Sequence, residues 1–575
     1  MNRLILTLSG QVVRENSSNL INFWNGFINI QNSIGGIDEL KVVAHSWNPE
    51  YDELIKRVYN VEFIESEKQG SFVKEYMPLL NPIDKFEKGF NREKSTWSKI
   101  NPNMLLGQVT SKMKSIVLLN KLKILDTDFV LSTRWDIGCS GGKEVNTLIF
   151  DPSLSNNYLY LAYFPYVDEG YADMWFWGAY KHIKKFESYK GHFLNALEGN
   201  NSYFDDFTKN GWMLSLPPKK NSTKFSHYKK NIISKIISKT KTNFIKEKIP
   251  FISNKIEGLN MRIRSFLESP VITAENSLLI NVKAEVVHPI KQSLNIHAIL
   301  KHFIYKNDLR DKTRFLDVND FEKSSNGYMI NSIDFCYIIY SHSSFNDCWE
   351  MAIGQALRNL PENCKKIYLI SEDSDDTEIN FSKLKYESNV ELLTYDLEKK
   401  YTDRLIEAFG KVSKEFENIY FVHEDMPLIS MVDKVYLNTL LHYLNNSNEF
   451  YIKLVDTNYV NSKSTHDSFP YLVKNSGGYS ISVQPSLIKL DYMVSFLENF
   501  HQDIYGYEQV CTRSNFIFSA VTGDQKIGKY LLCNKYFPHI ATAISKGKWC
   551  TNEWNEEINL LAKKYSIDLS LRGES

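Results

Sequence analysis

The tetrapeptide His423-Glu424-Asp425-Met426 sets two adjacent carboxylates directly after an apolar run, Asn418-Ile419-Tyr420-Phe421-Val422. The run reads as a buried strand, so the acids fall at its carboxyl end. In open α/β sheets, ligands bind in the crevice beyond the carboxyl ends of the strands. Carboxylate oxygens suit Mg2+ or Mn2+, hard cations that also bridge the oxygens of a diphosphate. A cation held there would neutralise the charge that develops on a nucleoside-diphosphate leaving group. The plain alternative is an acidic pair that only caps a loop.

Such a site needs a sheet to carry it, and the chain alternates strands with helices twice. In the first third, Arg3–Leu8, Leu40–Ala44, Val61–Ile64 and Phe129–Ser132 read as strands. Asn19–Ile34, Tyr51–Tyr59 and Asn103–Leu122 read as helices among them. The rhythm restarts with strands at Phe335–Tyr340, Lys366–Ile370, Val390–Tyr395, Ile419–Val422, Phe450–Val455 and Tyr479–Val483. Helices at Asp347–Leu360, Tyr401–Val412, Lys434–Leu444 and Leu487–Phe500 accompany them. Alternation of this kind predicts an α/β fold, a mostly parallel sheet flanked by helices in each unit. Between the units, Pro217–Lys255 carries eleven lysines against the single Glu247, with Ile232, Ile233, Ile236, Ile237, Phe244 and Ile245 able to line one helical face. It reads as a basic amphipathic segment for an anionic membrane surface, or equally as a solvated linker helix. The expected organisation is a first unit over 1–216, a partly helical connector over 217–325, and a second unit over 326–575.

Composition narrows the classes. The 575 residues hold 68 Lys+Arg and 68 Asp+Glu, and a zero net charge excludes a globally basic nucleic-acid binder. Hydrophobic residues at 43% exclude disorder along the whole chain. The seven cysteines lack CxxC or Cys/His metal spacing, which argues against a disulfide framework or structural zinc and fits a reducing compartment. No apolar run reaches the roughly 18 residues of a spanning helix. The opening MNRLILTLSGQ reads as a first strand, not a signal peptide. The 33 Tyr, 34 Phe and 10 Trp suit sugar-binding surfaces, but they also fit a general compositional bias.

The second unit resembles nucleotide-sugar glycosyltransferases encoded in bacterial capsule and lipopolysaccharide clusters. The resemblance rests on Tyr340-Ser341-His342-Ser343-Ser344 with Asp347-Cys348-Trp349, on Tyr420 through Met426, and on Ile452-Lys453-Leu454. It continues through Tyr479-Ser480-Ile481-Ser482-Val483-Gln484-Pro485, Tyr507-Glu508 and Lys546-Gly547-Lys548-Trp549. It implies a GT-A-like (Rossmann-like) unit. Glu424-Asp425 departs from the usual Asp-x-Asp, which bears on metal dependence more than on the reaction. In such a reaction Ser341 and His342 would meet the nucleotide, and Lys546 and Lys548 would clamp its diphosphate as point charges. Trp549 would close over a base or sugar, and Gln484 would orient a sugar hydroxyl. Glu508 would be the general base on the acceptor hydroxyl. Asp425 would act catalytically and, with Glu424, as a metal ligand. The competing readings are surface lysines, a helix-surface acid at Glu508, and structural roles for His342 and His423.

The first unit is similar to a second group of polysaccharide glycosyltransferases. The matching pieces are Asp128 through Asp136, including Thr133-Arg134-Trp135-Asp136, and Ala172-Asp173-Met174-Trp175-Phe176-Trp177-Gly178. Gln108, Ser111 and Lys114 of the preceding helix face a sheet end. The resemblance implies Asp136 as metal or ribose ligand, Arg134 as its charge partner on the nucleotide side, and Asp173 as an acceptor-side acid. An Arg–Asp pair that only buttresses the fold is the alternative.

Together these features predict a bifunctional hexosyl-type glycosyltransferase that uses nucleotide-sugar donors and a divalent cation to extend a capsule or O-antigen type polysaccharide. The acceptor would be a glycan or lipid-linked glycan, met on the cytoplasmic side with peripheral contact to an anionic inner membrane. Three alternatives stand beside it. One is a single active second unit with a degenerate first unit. Another is a sugar-phosphate transferase. The third is a non-catalytic glycan-binding or assembly protein.

Overall fold

The computed structural model describes residues 2–13, 19–72, 102–138, 148–163, 173–197, 214–215, 279–280, 286–287, 296–317, 327–386, 389–457, 462–512, 517–523, 525–527 and 531–574. The Lys-rich stretch Pro217–Lys255 lies outside them. The chain divides into two compact units, one built mainly from residues up to Ile330 and one from Asn331 onward.

In the first unit, strands β1 (Arg3–Gly10), β2 (Glu39–Ser46), β3 (Phe63–Ser66) and β4 (Phe129–Arg134) pair in parallel, in the order β3-β2-β1-β4. Both faces of β1 are buried, which explains its unbroken apolar sequence. Helices α1 (Ile21–Ser33), α2 (Asp52–Tyr59) and α3 (Pro102–Val117) fall within or close to the predicted segments. Beyond β4 lie β5 (Leu159–Tyr163) and β6 (Phe176–Ala179), with β6 inserted antiparallel between β4 and β5. Helices α4 (Tyr189–Leu197) and α5 (Ile296–Lys306) supply core residues on one face. Strands β7 (Leu279–Ile280) and β8 (Thr313–Asp317) complete the sheet, β8 running parallel to β5. Thus α5, β7 and β8, all within the span read as connector, belong to the first unit.

The second unit repeats the plan. Strands β9 (Phe335–Tyr340), β10 (Cys364–Glu372), β11 (Val390–Tyr395) and β12 (Asn418–His423) are parallel, in the order β11-β10-β9-β12. Helices α6 (Asn346–Asn359), α7 (Tyr401–Val412) and α8 (Lys434–Asn446) alternate with them. Next come β13 (Tyr451–Lys453), β14 (Ser462–Thr465), β15 (Leu472–Ser476), β16 (Ser486–Lys489) and β17 (Ile517–Val521). Strand β16 lies antiparallel between β12 and β13, and β17 runs parallel to β13. Helices α9 (Leu490–Leu497), α10 (Ile504–Gln509) and α11 (Thr551–Tyr565) finish the unit, with a small hairpin of β18 (Ile544–Ser545) and β19 (Lys548–Trp549) before α11.

Each sheet therefore has its third, second, first and fourth strands in parallel, then one antiparallel strand, then a return to parallel. This is the plan of two GT-A-like units, each a mostly parallel sheet flanked by helices. One element differs from expectation. The strand predicted at Tyr479–Val483 is instead β16 at Ser486–Lys489, and the helix after it is α9. Tyr479 has φ +62°, which breaks the extended path. Pro485 has no N–H for the ladder, so pairing starts after it.

Among the described residues, no helix is long and apolar enough to cross a membrane. No disulfide joins any of the six described cysteines.

Candidate functional site

In the second unit, the carboxyl ends of β9, β10 and β12 converge. Strand β9 delivers Ser341 and His342 into a turn capped by the His342 ring, whose Nδ1 accepts the Ser344 N–H at 3.2 Å. Ser341 is buried, and its hydroxyl accepts the Trp349 indole N–H at 2.7 Å. Strand β10 ends on Glu372, whose two oxygens accept the Ser343 N–H at 3.0 and 2.8 Å and whose Oε2 accepts the Ser371 hydroxyl at 2.7 Å. Burial opposes ionisation there, but the Ser343 and Ser371 hydrogen bonds hold the Glu372 carboxyl below its ordinary value.

Strand β12 brings His423, Glu424 and Asp425 to the same edge, where the Glu424 N–H donates to the Tyr340 carbonyl at 3.2 Å. Glu424 and Asp425 are 6% and 9% exposed. Asp425 is fixed by hydrogen bonds from the start of the hairpin: the N–H of Ala543, just before β18, donates to its carbonyl at 2.9 Å, and the Ile544 N–H of β18 donates to its Oδ2 at 3.3 Å. Burial and the neighbouring Asp425 charge push the Glu424 carboxyl well up, and burial pushes Asp425 to about 6. Their carboxylate oxygens are the donors that a hard divalent cation such as Mg2+ would take. Among the described residues no cluster of three or more His, Cys, Asp or Glu is placed to hold a metal ion.

Lys546 and Lys548 are exposed on the hairpin that touches Asp425. The turn is Lys546-Gly547, with φ +51° and +75°, a two-residue turn that favours Gly because both positions are left-handed. Trp549 lies elsewhere than expected. It is 1% exposed and packs in the core with Ile544, Trp554 and Ile558, so its ring supports the hairpin and does not face a ligand.

Glu508 sits on α10. Its Oε1 accepts the Val483 N–H at 3.3 Å, and burial raises its carboxyl above the ordinary value against the pull of Lys453. Lys453, buried on β13, donates to the Tyr479 carbonyl at 2.8 Å, and burial lowers its ammonium to about 8. Tyr401 joins the two regions. Its hydroxyl hydrogen-bonds His423 Nε2 at 3.0 Å, and it feels the charges of both Glu508 and Glu424. Burial keeps His423 neutral, with its imidazole lowered to about 3. Gln484 is half-buried just before β16, where its own N–H donates to the Ser482 hydroxyl at 3.4 Å.

In the first unit, β4 ends on Arg134, which forms a two-point pair with Asp136 at 2.9 and 2.7 Å. Asp173, just before β6, is buried, and the Lys112 ammonium of α3 donates to its carbonyl. Lys112 is 3% exposed, and burial lowers it to about 8 despite the pull of Asp173. Ser111, one residue earlier, accepts the Gly10 N–H at 2.7 Å and meets His45 Nδ1 at 2.8 Å, which ties α3 to the ends of β1 and β2. Lys114 pairs with Glu65 at 3.3 Å and Glu67 at 2.5 Å, and Gln108 is half-buried on the same helix. Arg134, Asp136, Asp173 and Lys112 thus share one region, since Lys112 also feels the Arg134 charge.

Sequence reasoning passed over Glu372, Lys112 and the role of Lys453. Glu372 had a usable signal, an acid at a strand end. The lysines had none, because nothing local marks a lysine as buried.

No protein-family model matches the chain, and no curated protein matches it. Among solved structures, a cytidylyltransferase from Leptospira borgpetersenii serovar Hardjo-bovis (strain JB197) aligns at 12% identity and TM-score 0.25, covering 41% of this chain and 97% of its own. S. aureus TarS 1-349 aligns at 13% identity and TM-score 0.23, covering 42% and 68%. GalNAc-T7, solved with UDP, GalNAc and Mn2+, aligns at 8% identity and TM-score 0.27, covering 35% and 45%. At these scores the likenesses add nothing to the fold reading, which rests on strand order.

Proposed function

We propose that the chain is a glycosyltransferase that moves a sugar from a nucleoside-diphosphate donor onto a growing bacterial surface polysaccharide of capsule or O-antigen type. One observation carries this reading: Ser341, His342, Glu372, Glu424 and Asp425 meet at the carboxyl edge of the second sheet. The Ser341–Ser344 turn binds the nucleotide. Glu424 and Asp425 would hold a divalent cation, which would supply positive charge against the diphosphate, and exposed Lys546 and Lys548 add to it. Glu508 is the base. It takes the acceptor hydroxyl proton as that oxygen bonds to the anomeric carbon, and the bond from that carbon to the diphosphate breaks. Burial of Glu508 raises its proton affinity, which matches this task. Gln484 orients a sugar hydroxyl.

The first unit carries a second transfer site in this reading, with Asp136 and Arg134 on the donor side and Asp173 on the acceptor side. One observation favours a first unit without turnover: both Asp136 oxygens are already bonded to Arg134. The Lys-rich segment Pro217–Lys255 holds the enzyme against anionic lipid on the cytoplasmic face, near a lipid-linked acceptor. Donor turnover and transfer by Asp136→Ala and Asp425→Ala, each in the full chain, test the assignment. Loss of distinct reactions in the two variants supports two active units, and loss in Asp425→Ala alone supports one. Unchanged transfer in both would sink the reading.

A further inference from the structure

We infer that Arg572 is the fixed cation that grips the diphosphate at the second unit's sheet edge, an assignment that rests on the transferase reading above. Arg572 lies in the segment Leu569–Glu574, after α11. Its Nε donates to Asp347 Oδ2 at 2.7 Å, and its Nη2 to Asp347 Oδ1 at 2.5 Å and the Ser344 carbonyl at 2.6 Å. The guanidinium carbon lies 4.6 Å from the Phe345 ring centre. One edge of the fork is thereby spent on fixing the group over the turn that follows β9. Nη1 has no hydrogen-bond partner among the described residues, so two N–H donors remain for an incoming anion.

Its surroundings suit that task. The Asp347 bonds hold Arg572 above its ordinary value, and its charge reaches Glu424. Asp347, Glu372, Glu424 and Asp425 all border this edge, so a diphosphate entering it needs positive charge there. Lys546 and Lys548 offer only flexible point charges at an exposed turn. An arginine can be anchored by one edge and bind phosphate with the other, which a lysine cannot do. The backbone holding it is also fixed. Trp549 N–H donates to the Gly573 carbonyl at 3.0 Å, and the Thr551 hydroxyl bonds Glu574 Oε2 at 3.0 Å. The hairpin that contacts Asp425 therefore also seats Arg572.

The test measures binding of UDP, CDP, GDP and ADP, and of the matching nucleosides, to the full chain by calorimetry, in EDTA and in Mn2+. For whichever diphosphate binds, Arg572→Ala should weaken affinity roughly 10- to 100-fold, the worth of charge-assisted hydrogen bonds. Affinity for the bare nucleoside should stay within about twofold, since it lacks the charged group. Arg572→Lys should fall between. Equal diphosphate affinity in wild type and Arg572→Ala overturns the inference and leaves the transferase reading standing. Wild-type protein that binds no diphosphate in either condition overturns the transferase reading, and the inference with it. A measurement on the wild type avoids any folding defect of the variants: phenylglyoxal labelling of Arg572, mapped by mass spectrometry. The bound diphosphate should protect Arg572 and the nucleoside should not, whereas equal labelling overturns the inference.

Discussion

Glu372 holds the turn after β9 with two charge-assisted bonds to one backbone N–H. Glu372→Ala leaves that N–H without its acceptor, so a destabilisation of about 1–3 kcal/mol is expected. Urea unfolding measures it, and on the transferase reading nucleotide affinity should fall in parallel because the turn loosens. Glu372→Gln keeps one acceptor oxygen and should cost clearly less, and equal losses in the two variants would show that the bonds to Ser343 do not matter. At this scale, legibility follows sequence distance. Glu424 and Asp425 could be found because the strand that aims them immediately precedes them. Arg572 could not, because Asp347, the residue that fixes it, is 225 positions away.

Helix α1 packs against the segment that follows β4, and Gly26 marks the closest approach. A Cβ there would run into the Trp135 carbonyl oxygen, far inside contact distance. Gly26→Ala should push Trp135 and Asp136 out of place and cost about 1–3 kcal/mol, as overpacking does. Chemical denaturation reads the cost, and any nucleotide binding that depends on Asp136 should drop with it. An unaltered unfolding midpoint would mean that the helix slides without penalty. Most strands and helices could be read from apolar runs and helical spacing. Strand β16 could not, since Tyr479–Val483 looks just as strand-like and only the left-handed Tyr479 and the missing Pro485 N–H move the pairing downstream.

Taken whole, the molecule buries neutral imidazoles in both units. Burial and nearby Lys114 lower His45 to about 4, against the pull of Glu67 and Glu65. Burial, His302 and Lys306 lower His192 to about 4. Burial lowers His539 to about 4 as well, although its bond to the Met426 carbonyl opposes this. In the unfolded chain each takes a proton near pH 6.5, while the folded form resists until about 4. Stability is therefore complete above 6.5 and falls as pH drops toward 4, on the order of 3 kcal/mol for each histidine. Melting temperatures from pH 7.5 to 4.5 should decline, and His192→Gln should flatten part of that decline. A melting temperature that does not change with pH would contradict this account. The two-unit plan was legible in the alternation of strands and helices. The antiparallel strand that follows the four parallel ones in both sheets was not, because an insertion of that kind leaves no local mark.

The seat of Arg572 also bears on how the chain is made. Nearly all of the second unit must leave the ribosome before Asp347 can meet its guanidinium, long after β9 to β12 have emerged. A nascent or prematurely stopped chain that ends before Leu569 would carry the sheet and its acids without this cation. On the transferase reading, the grip on a diphosphate therefore forms only after every strand of the second sheet has been made.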